Sequence, residues 1–166
     1  MRPIHAIVVA ALSRAATAAE DNKATGNDTQ GWAADCDALS SRCQTTSVAD
    51  GNHDNGKDKR LHVMNYLRKL IQSDLPPGRL YGNGRHIACY QHANGPHGFC
   101  LFFENFPHGT NHSIGDIVHA FDAMSDPHNA YARACHGRCG RGWNKAWKHG
   151  YLKLDYVTKS CNGVCK

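Results

Sequence analysis

Apolar residues along this chain recur in two different rhythms, and each rhythm predicts its own kind of element. Leu61, Met64, Leu67, Leu70 and Ile71 stand three and four residues apart, which puts one apolar stripe on a helix. A turn-rich stretch, DGNHDNGKD over 50–58, precedes them, and Asp54 or Asp58 can cap the start. Pro76-Pro77 forbids continuation past Asp74, so the spacing predicts a helix over 57–72. Ile114, Ile117, Val118, Phe121 and Met124 repeat the rhythm. Ser113 with Asp116 opens that segment as a capping box and Asp126-Pro127 closes it, predicting a second helix over 113–124.

The other rhythm is shorter. Residues 85–90 (RHIACY) and 99–103 (FCLFF) read as neighbouring antiparallel strands around a turn-forming set, HANGPHG over 92–98. Gly82-Asn83-Gly84 marks a tight turn before the first strand, and residues 151–157 (YLKLDYV) alternate as a third. The stretch between the second helix and His149 is rich in Gly and basic residues and reads as a loop. The resulting order of helix, strand, strand, helix, loop and strand is most of a split β-α-β arrangement. The fold class expected is an α+β sandwich, one domain whose antiparallel sheet carries two main helices on one face.

The N-terminus has a different character. Arg2 and His5 precede a short apolar core over 6–12 (AIVVAAL), and Ala16-Thr17-Ala18 offers a cleavage site. The core is shorter than the ~20 residues a bilayer span needs. Residues 1–19 therefore read as an export signal, 20–31 as a polar, disordered leader, and 32–166 as the folded domain. No later segment is apolar enough for a membrane helix, so the mature chain is expected to be soluble. Asn27-Asp28-Thr29 and Asn111-His112-Ser113 are glycosylation sequons, and a glycan on Asn27 or Asn111 would mark a surface loop.

Cysteine usage agrees with export. Cys36, Cys43, Cys89, Cys100, Cys135, Cys139, Cys161 and Cys165 form an even set behind the signal, the pattern of an oxidised, stapled, secreted domain. Eight cysteines leave many connectivities open. His92, His97, His108 and His112 lie in two turn segments, but neither Cys135/Cys139 nor Cys161/Cys165 is followed by a histidine pair at zinc-finger spacing. No metal and no cofactor is expected.

Charge adds a candidate site. Without residues 1–19, 17 Lys+Arg (19 less Arg2 and Arg14) face 14 Asp+Glu, a net +3. From Arg133 to Lys166 eight basic residues face Asp155 alone, a net +7. There Arg138, Arg141, Lys145, Lys148 and Lys153 are interleaved with Trp143, Trp147 and Tyr151. Such a surface can engage anionic headgroups, an acidic channel vestibule, a wall polyanion or nucleic acid; the bland reading is a solvated face with the tryptophans turned inward. A second candidate is an acid–base set for phosphodiester cleavage, His86 and Glu104 with Arg85 as the cation, for which the bland reading is an exposed strand-terminal acid.

Three local patterns carry a resemblance: Cys36 and Cys43 across a polar spacer; IAC over 87–89 followed after a turn by GFCLFF over 98–103; and CHGRCG over 135–140 followed by GYLKLDYV over 150–157 and CNGVC over 161–165. Over 32–166 the chain resembles the fungal killer toxins of the KP4 type and the KP4-like secreted proteins of filamentous fungi. The resemblance implies an antiparallel sheet covered by two helices and held by disulfides. It implies that Cys36 and Cys43 reach across to Cys135 and Cys139, and that Cys89 and Cys100 pair with Cys161 and Cys165. It also implies block of calcium channels. The function expected is that of a secreted, non-enzymatic monomer whose basic surface binds a membrane protein or anionic surface of a target cell and not nucleic acid. A ribonuclease-like toxin and a non-toxic, host-interacting effector are the alternatives.

Overall fold

A computed structural model describes residues 31–35, 39–45, 59–93, 95–125 and 139–166. The export signal, most of the polar leader, Asn27, Cys36, Cys135 and Arg138 lie outside the described residues. The chain runs through β1 (Trp32–Asp35), α1 (Ser41–Thr45), α2 (Lys59–Lys69), β2 (Tyr81–Gly82), β3 (His86–Gln91) and β4 (Gly98–Glu104). It continues through β5 (Asn111–His112), α3 (Ile114–Ser125), β6 (Gly140–Asn144), β7 (Tyr151–Val157) and β8 (Gly163–Val164).

Six of these strands make one antiparallel sheet in the order β1-β6-β7-β4-β3-β8. The two-residue rhythm of β4 explains its central place. Phe99, Leu101 and Phe103 join the main core, while Cys100 and Phe102 belong to a smaller cluster. β7 pairs along all of β4 and contributes Leu152 and Leu154 to the main core. β2 and β5 form a separate two-stranded ribbon pairing Tyr81 with His112.

The helices bury the faces that the three- and four-residue spacing predicts. Of the predicted stripe Leu67, Leu70 and Ile71 are buried and Met64 is half-buried; Val63, outside the predicted set, is buried beside them, and the Leu61 side chain lies outside the described residues. The regular helix stops at Lys69 and a turn of π-helix carries Leu70–Asp74 to the proline pair. Ile117, Phe121 and Met124 of α3 enter the same core. Its capping box forms as expected: Ser113 N–H and Oγ donate to Asp116 Oδ2 at 2.8 and 2.9 Å, and Asp116 N–H donates back to Ser113 Oγ at 3.2 Å. Arg68 ties the two helices together by donating to Asp122 at 2.8 Å and to Ser125. The fold is thus a disulfide-bonded α+β domain with a mainly antiparallel sheet.

Two elements depart from the sequence reading. Residues 140–144 (GRGWN) form a strand, where glycine and charge suggested loop. The reason is the approach of α3: a Cβ on Gly142 would lie 2.0 Å from the Ala120 carbonyl oxygen, so only glycine fits between strand and helix. β1 was also unsigned. It forms by pairing with β6 over 32–35, with Ala34 buried in the core.

The disulfides need a correction as well. Cys43 bonds Cys139, within the reach the resemblance implies. Cys89, however, bonds Cys100 and Cys161 bonds Cys165. Strand register is the cause. Cys89 and Cys100 sit directly opposite each other on β3 and β4, with Cα atoms 4.1 Å apart. A turn at Gly163, whose φ is 76°, folds Cys165 back to 5.6 Å from Cys161 between Cα atoms. Both bonds still share one cluster, and Cys89 Sγ lies 3.5 Å from Cys165 Sγ.

Candidate binding site

The basic residues read from the sequence have different fates. On β6, Arg141 faces Asp35 of β1 in register and grips its carboxylate with two donors, Nε and Nη2, each at 2.7 Å. That bond to Asp35 holds the guanidinium pKa above its usual value. Lys153 of β7 lies between Glu104 at 3.2 Å and Asp155 at 3.1 Å, its side chain 12% exposed. Burial pulls the ammonium pKa down, but the hydrogen bonds to Asp155 and Glu104 outweigh it and the net shift is upward. These two cations stitch strands together.

Asp155 is itself structural. It is 5% exposed and accepts from Ser40 N–H at 3.2 Å, Ser40 Oγ at 2.7 Å and Tyr156 N–H at 2.8 Å, as well as from Lys153. Ser40 in turn caps α1 by accepting from Cys43 N–H at 3.3 Å. The acid that stands alone in the basic C-terminal segment thus anchors α1 to β7.

Lys145 and Lys148 are different. Both are exposed on the connection between β6 and β7, and neither makes an ion pair among the described residues. Asn144 builds the turn that carries them: its Oδ1 accepts from Ala146 N–H at 2.9 Å and its carbonyl from Trp147 N–H at 2.8 Å. Trp147, between the two lysines, is half-buried. Its ring packs against Trp32 at 5.0 Å, Phe106 at 5.1 Å and His112 at 5.0 Å between centroids. Trp143, on β6, is half-exposed.

Beside this turn the sheet end opens into a cleft of about 1010 Å³. One wall is the segment after β4, with Glu104, Asn105, Phe106 and Pro107; the other is Trp147, Lys148, His149 and Gly150. Thr110, Asn111, His112, Asp116 and Asn83 complete it. Phe106 is held against Gly150, where an added Cβ would meet the ring at 2.3 Å. Asn105 takes a left-handed backbone, φ 63°, which lets the chain turn out of β4.

The sequence reading did not foresee the role of His112 in the floor. It is 4% exposed, stacks on Phe103 and packs at a tilt against Phe106, with centroids 4.0 Å away in each case. Its Nδ1 lies 4.0 Å from Asp116 Oδ2, and its Nε2 is buried without a hydrogen-bond partner. Burial pushes its pKa down, against a smaller upward pull from Asp116. The signal for this was present in the sequon itself: a histidine one residue before a helix cap, at the apolar end of a ribbon.

The candidate acid–base residues lie at the paired ends of β3 and β4, where His86 stands opposite Phe102, two positions before Glu104. Glu104 accepts from Tyr151 Oη at 3.0 Å and pairs with Lys153, and it lines the cleft. His86, at the start of β3, packs against Phe102 with centroids 5.6 Å apart, and burial lowers its pKa. Arg85 is exposed. Among the described residues, the close groupings of His, Cys and Asp that could surround a metal all draw on sulfurs already in disulfides. Asn111 is exposed at the cleft mouth. No helix among the described residues is long and apolar enough to cross a membrane.

No family model, no curated protein and no solved structure matches this chain.

Proposed function

We propose that this chain is an exported KP4-like protein that acts by binding at the surface of a target cell, with the turn over 145–150 as its contact. The observation that carries the reading is the display of Lys145 and Lys148 on either side of an anchored Trp147. Two exposed ammonium groups on a turn pinned by the core present positive charge at small entropic cost, which suits docking onto an acidic vestibule or anionic membrane site. Arg141 and Lys153 support the sheet beneath that turn. The disulfides suit a protein that must persist outside the cell, since each restricts the unfolded chain. Following the resemblance, the consequence of docking is impaired calcium uptake and arrested growth of a competing fungus or a plant cell.

Growth inhibition with and without excess calcium tests this reading. The wild-type protein is expected to slow growth of sensitive fungi or roots, with excess calcium relieving the effect. The Lys145→Ala/Lys148→Ala variant is expected to be inactive while unfolding at the wild-type temperature. Inhibition that survives loss of both lysines, or growth unaffected at high dose, would overturn it.

A further inference from the structure

The cleft beside the lysine turn has a chemistry of its own. Its side chains include three primary amides (Asn83, Asn105, Asn111) and the Thr110 hydroxyl, set around the rings of Phe106 and Trp147. Asn83 Oδ1 already accepts from Phe106 N–H at 3.3 Å and Asn105 Nδ2 already donates to Tyr151 Oη at 3.1 Å, which orients both amides; their remaining donors and acceptors with the aromatic faces match a ligand with alternating hydroxyl groups and C–H faces. Charge argues the same way. Glu104 and Asp116 offset Lys148 in the lining, which leaves no concentrated positive field of the kind a phosphate chain requires. At about 1010 Å³ and open to solvent, the cleft is at the upper end of small-ligand sites and suits several linked rings.

Two further features make this more than a surface dent. Its walls are fixed: Phe106 is wedged by Gly150, and Trp147 is locked into the ring cluster of Phe103, Phe106 and His112. In its floor, a 96% buried histidine keeps Nε2 without a partner. An unsatisfied buried nitrogen costs stability, so its presence in the lining of a cleft calls for a partner that the protein itself does not supply.

We propose that this cleft binds a neutral oligosaccharide displayed on the target surface, through Asn105, Thr110 and the ring faces of Phe106 and Trp147. The inference stands on the cleft alone and holds whatever the lysine turn contacts. The same sugar chemistry has a second source, because Asn111 is an exposed sequon asparagine at the mouth and its own glycan would reach the same rings. The bound sugar we assign is the external one.

The test is calorimetric and tryptophan-fluorescence titration of the full secreted protein with neutral hexose and N-acetylhexosamine oligosaccharides, using an oligoribonucleotide and a sulfated oligosaccharide as polyanion controls. Saturable binding of at least one neutral oligosaccharide is expected, weakened about tenfold or more by Asn105→Gly, which keeps the left-handed backbone, and by Thr110→Val. The Lys145→Ala variant, whose side chain lies outside the cleft, should bind sugar like wild type even where it loses growth inhibition. Failure of every neutral oligosaccharide, survival of binding in both cleft variants, or polyanion binding of equal strength would each overturn the proposal. Sugar binding by Asn111→Gln but not by protein glycosylated at Asn111 would overturn the external source and assign the cleft to the chain's own glycan.

Discussion

Replacing Gly142 by alanine should be the most damaging single-methyl change among the described glycines of the sheet–helix interface. The added Cβ would stand 2.0 Å from the Ala120 carbonyl oxygen, 2.8 Å from its carbon and 3.2 Å from its Cα. All three are backbone atoms in the middle of α3, so no side-chain rotation relieves the clash. The helix has to retreat by on the order of 1 Å, and with it the packing of Ile117, Phe121 and Met124. Overpacking typically costs about 1–3 kcal/mol, and a backbone clash belongs at the upper end. For a domain of this size, about 3 kcal/mol lowers the melting temperature by roughly 10 °C. Thermal unfolding followed by circular dichroism without reductant measures it. Gly115→Ala is the matched control: that position is exposed on the same helix and its Cβ would meet only Ser113 Oγ at 3.5 Å, so it should be neutral or stabilising by up to about 1 kcal/mol. A Gly142→Ala protein that melts within about 2 °C of wild type would refute the strand–helix contact and the reason given for a strand at GRGWN.

Other consequences are equally open to measurement. Digestion without reductant should yield Cys43 linked to Cys139, and Cys161 linked to Cys165 within one peptide; a Cys89–Cys165 link would contradict the register argument. Removing Cys43–Cys139, which spans a separation of 96, should cost about 4–5 kcal/mol in denaturant unfolding, against about 2 kcal/mol for Cys161–Cys165 with a separation of 4. Asp155→Ala strands the Ser40 donors and leaves Lys153 with Glu104 alone, so it should cost about 2–3 kcal/mol, and a loss below about 0.5 kcal/mol would contradict its anchoring role. Burial lowers the pKa values of His86, His92 and His112, so the folded chain keeps them neutral where the unfolded chain binds protons. Stability should therefore be full above the unfolded value of about 6.5 and decline as pH falls from there through the folded values. His112→Phe should flatten that decline, and identical pH slopes for the variant and wild type would count against a buried neutral His112.

What the sequence made legible follows the strength of its local signals. Both long helices, the hairpin of β3 and β4, and β7 were readable because their apolar residues repeat without interruption and their ends carry caps, prolines or turn residues. GRGWN is not legible as a strand because its inward positions, Gly140 and Gly142, are glycines, and the one at 142 is required by the proximity of α3, a contact of distant residues that no local propensity reports. Its alternation of small inward and large outward residues was the one available clue. The basic segment was legible as a composition but not as a surface. Arg141 finds Asp35 across 106 positions and Lys153 reaches Glu104 across the sheet, so both leave the candidate patch for reasons of pairing. The cleft could not be foreseen, since its walls come from segments far apart in the chain that the pairing of β4 with β7 and β2 with β5 brings together.

On the proposed function, the molecule meets its target through Lys145 and Lys148 on the turn anchored by Trp147. Calcium influx into sensitive cells, read with a fluorescent indicator during exposure to wild type and to Lys145→Glu/Lys148→Glu, tests it most directly. Influx should fall with wild type and stay normal with the charge-reversed protein. Equal reduction by both proteins, or no reduction by either, would contradict it.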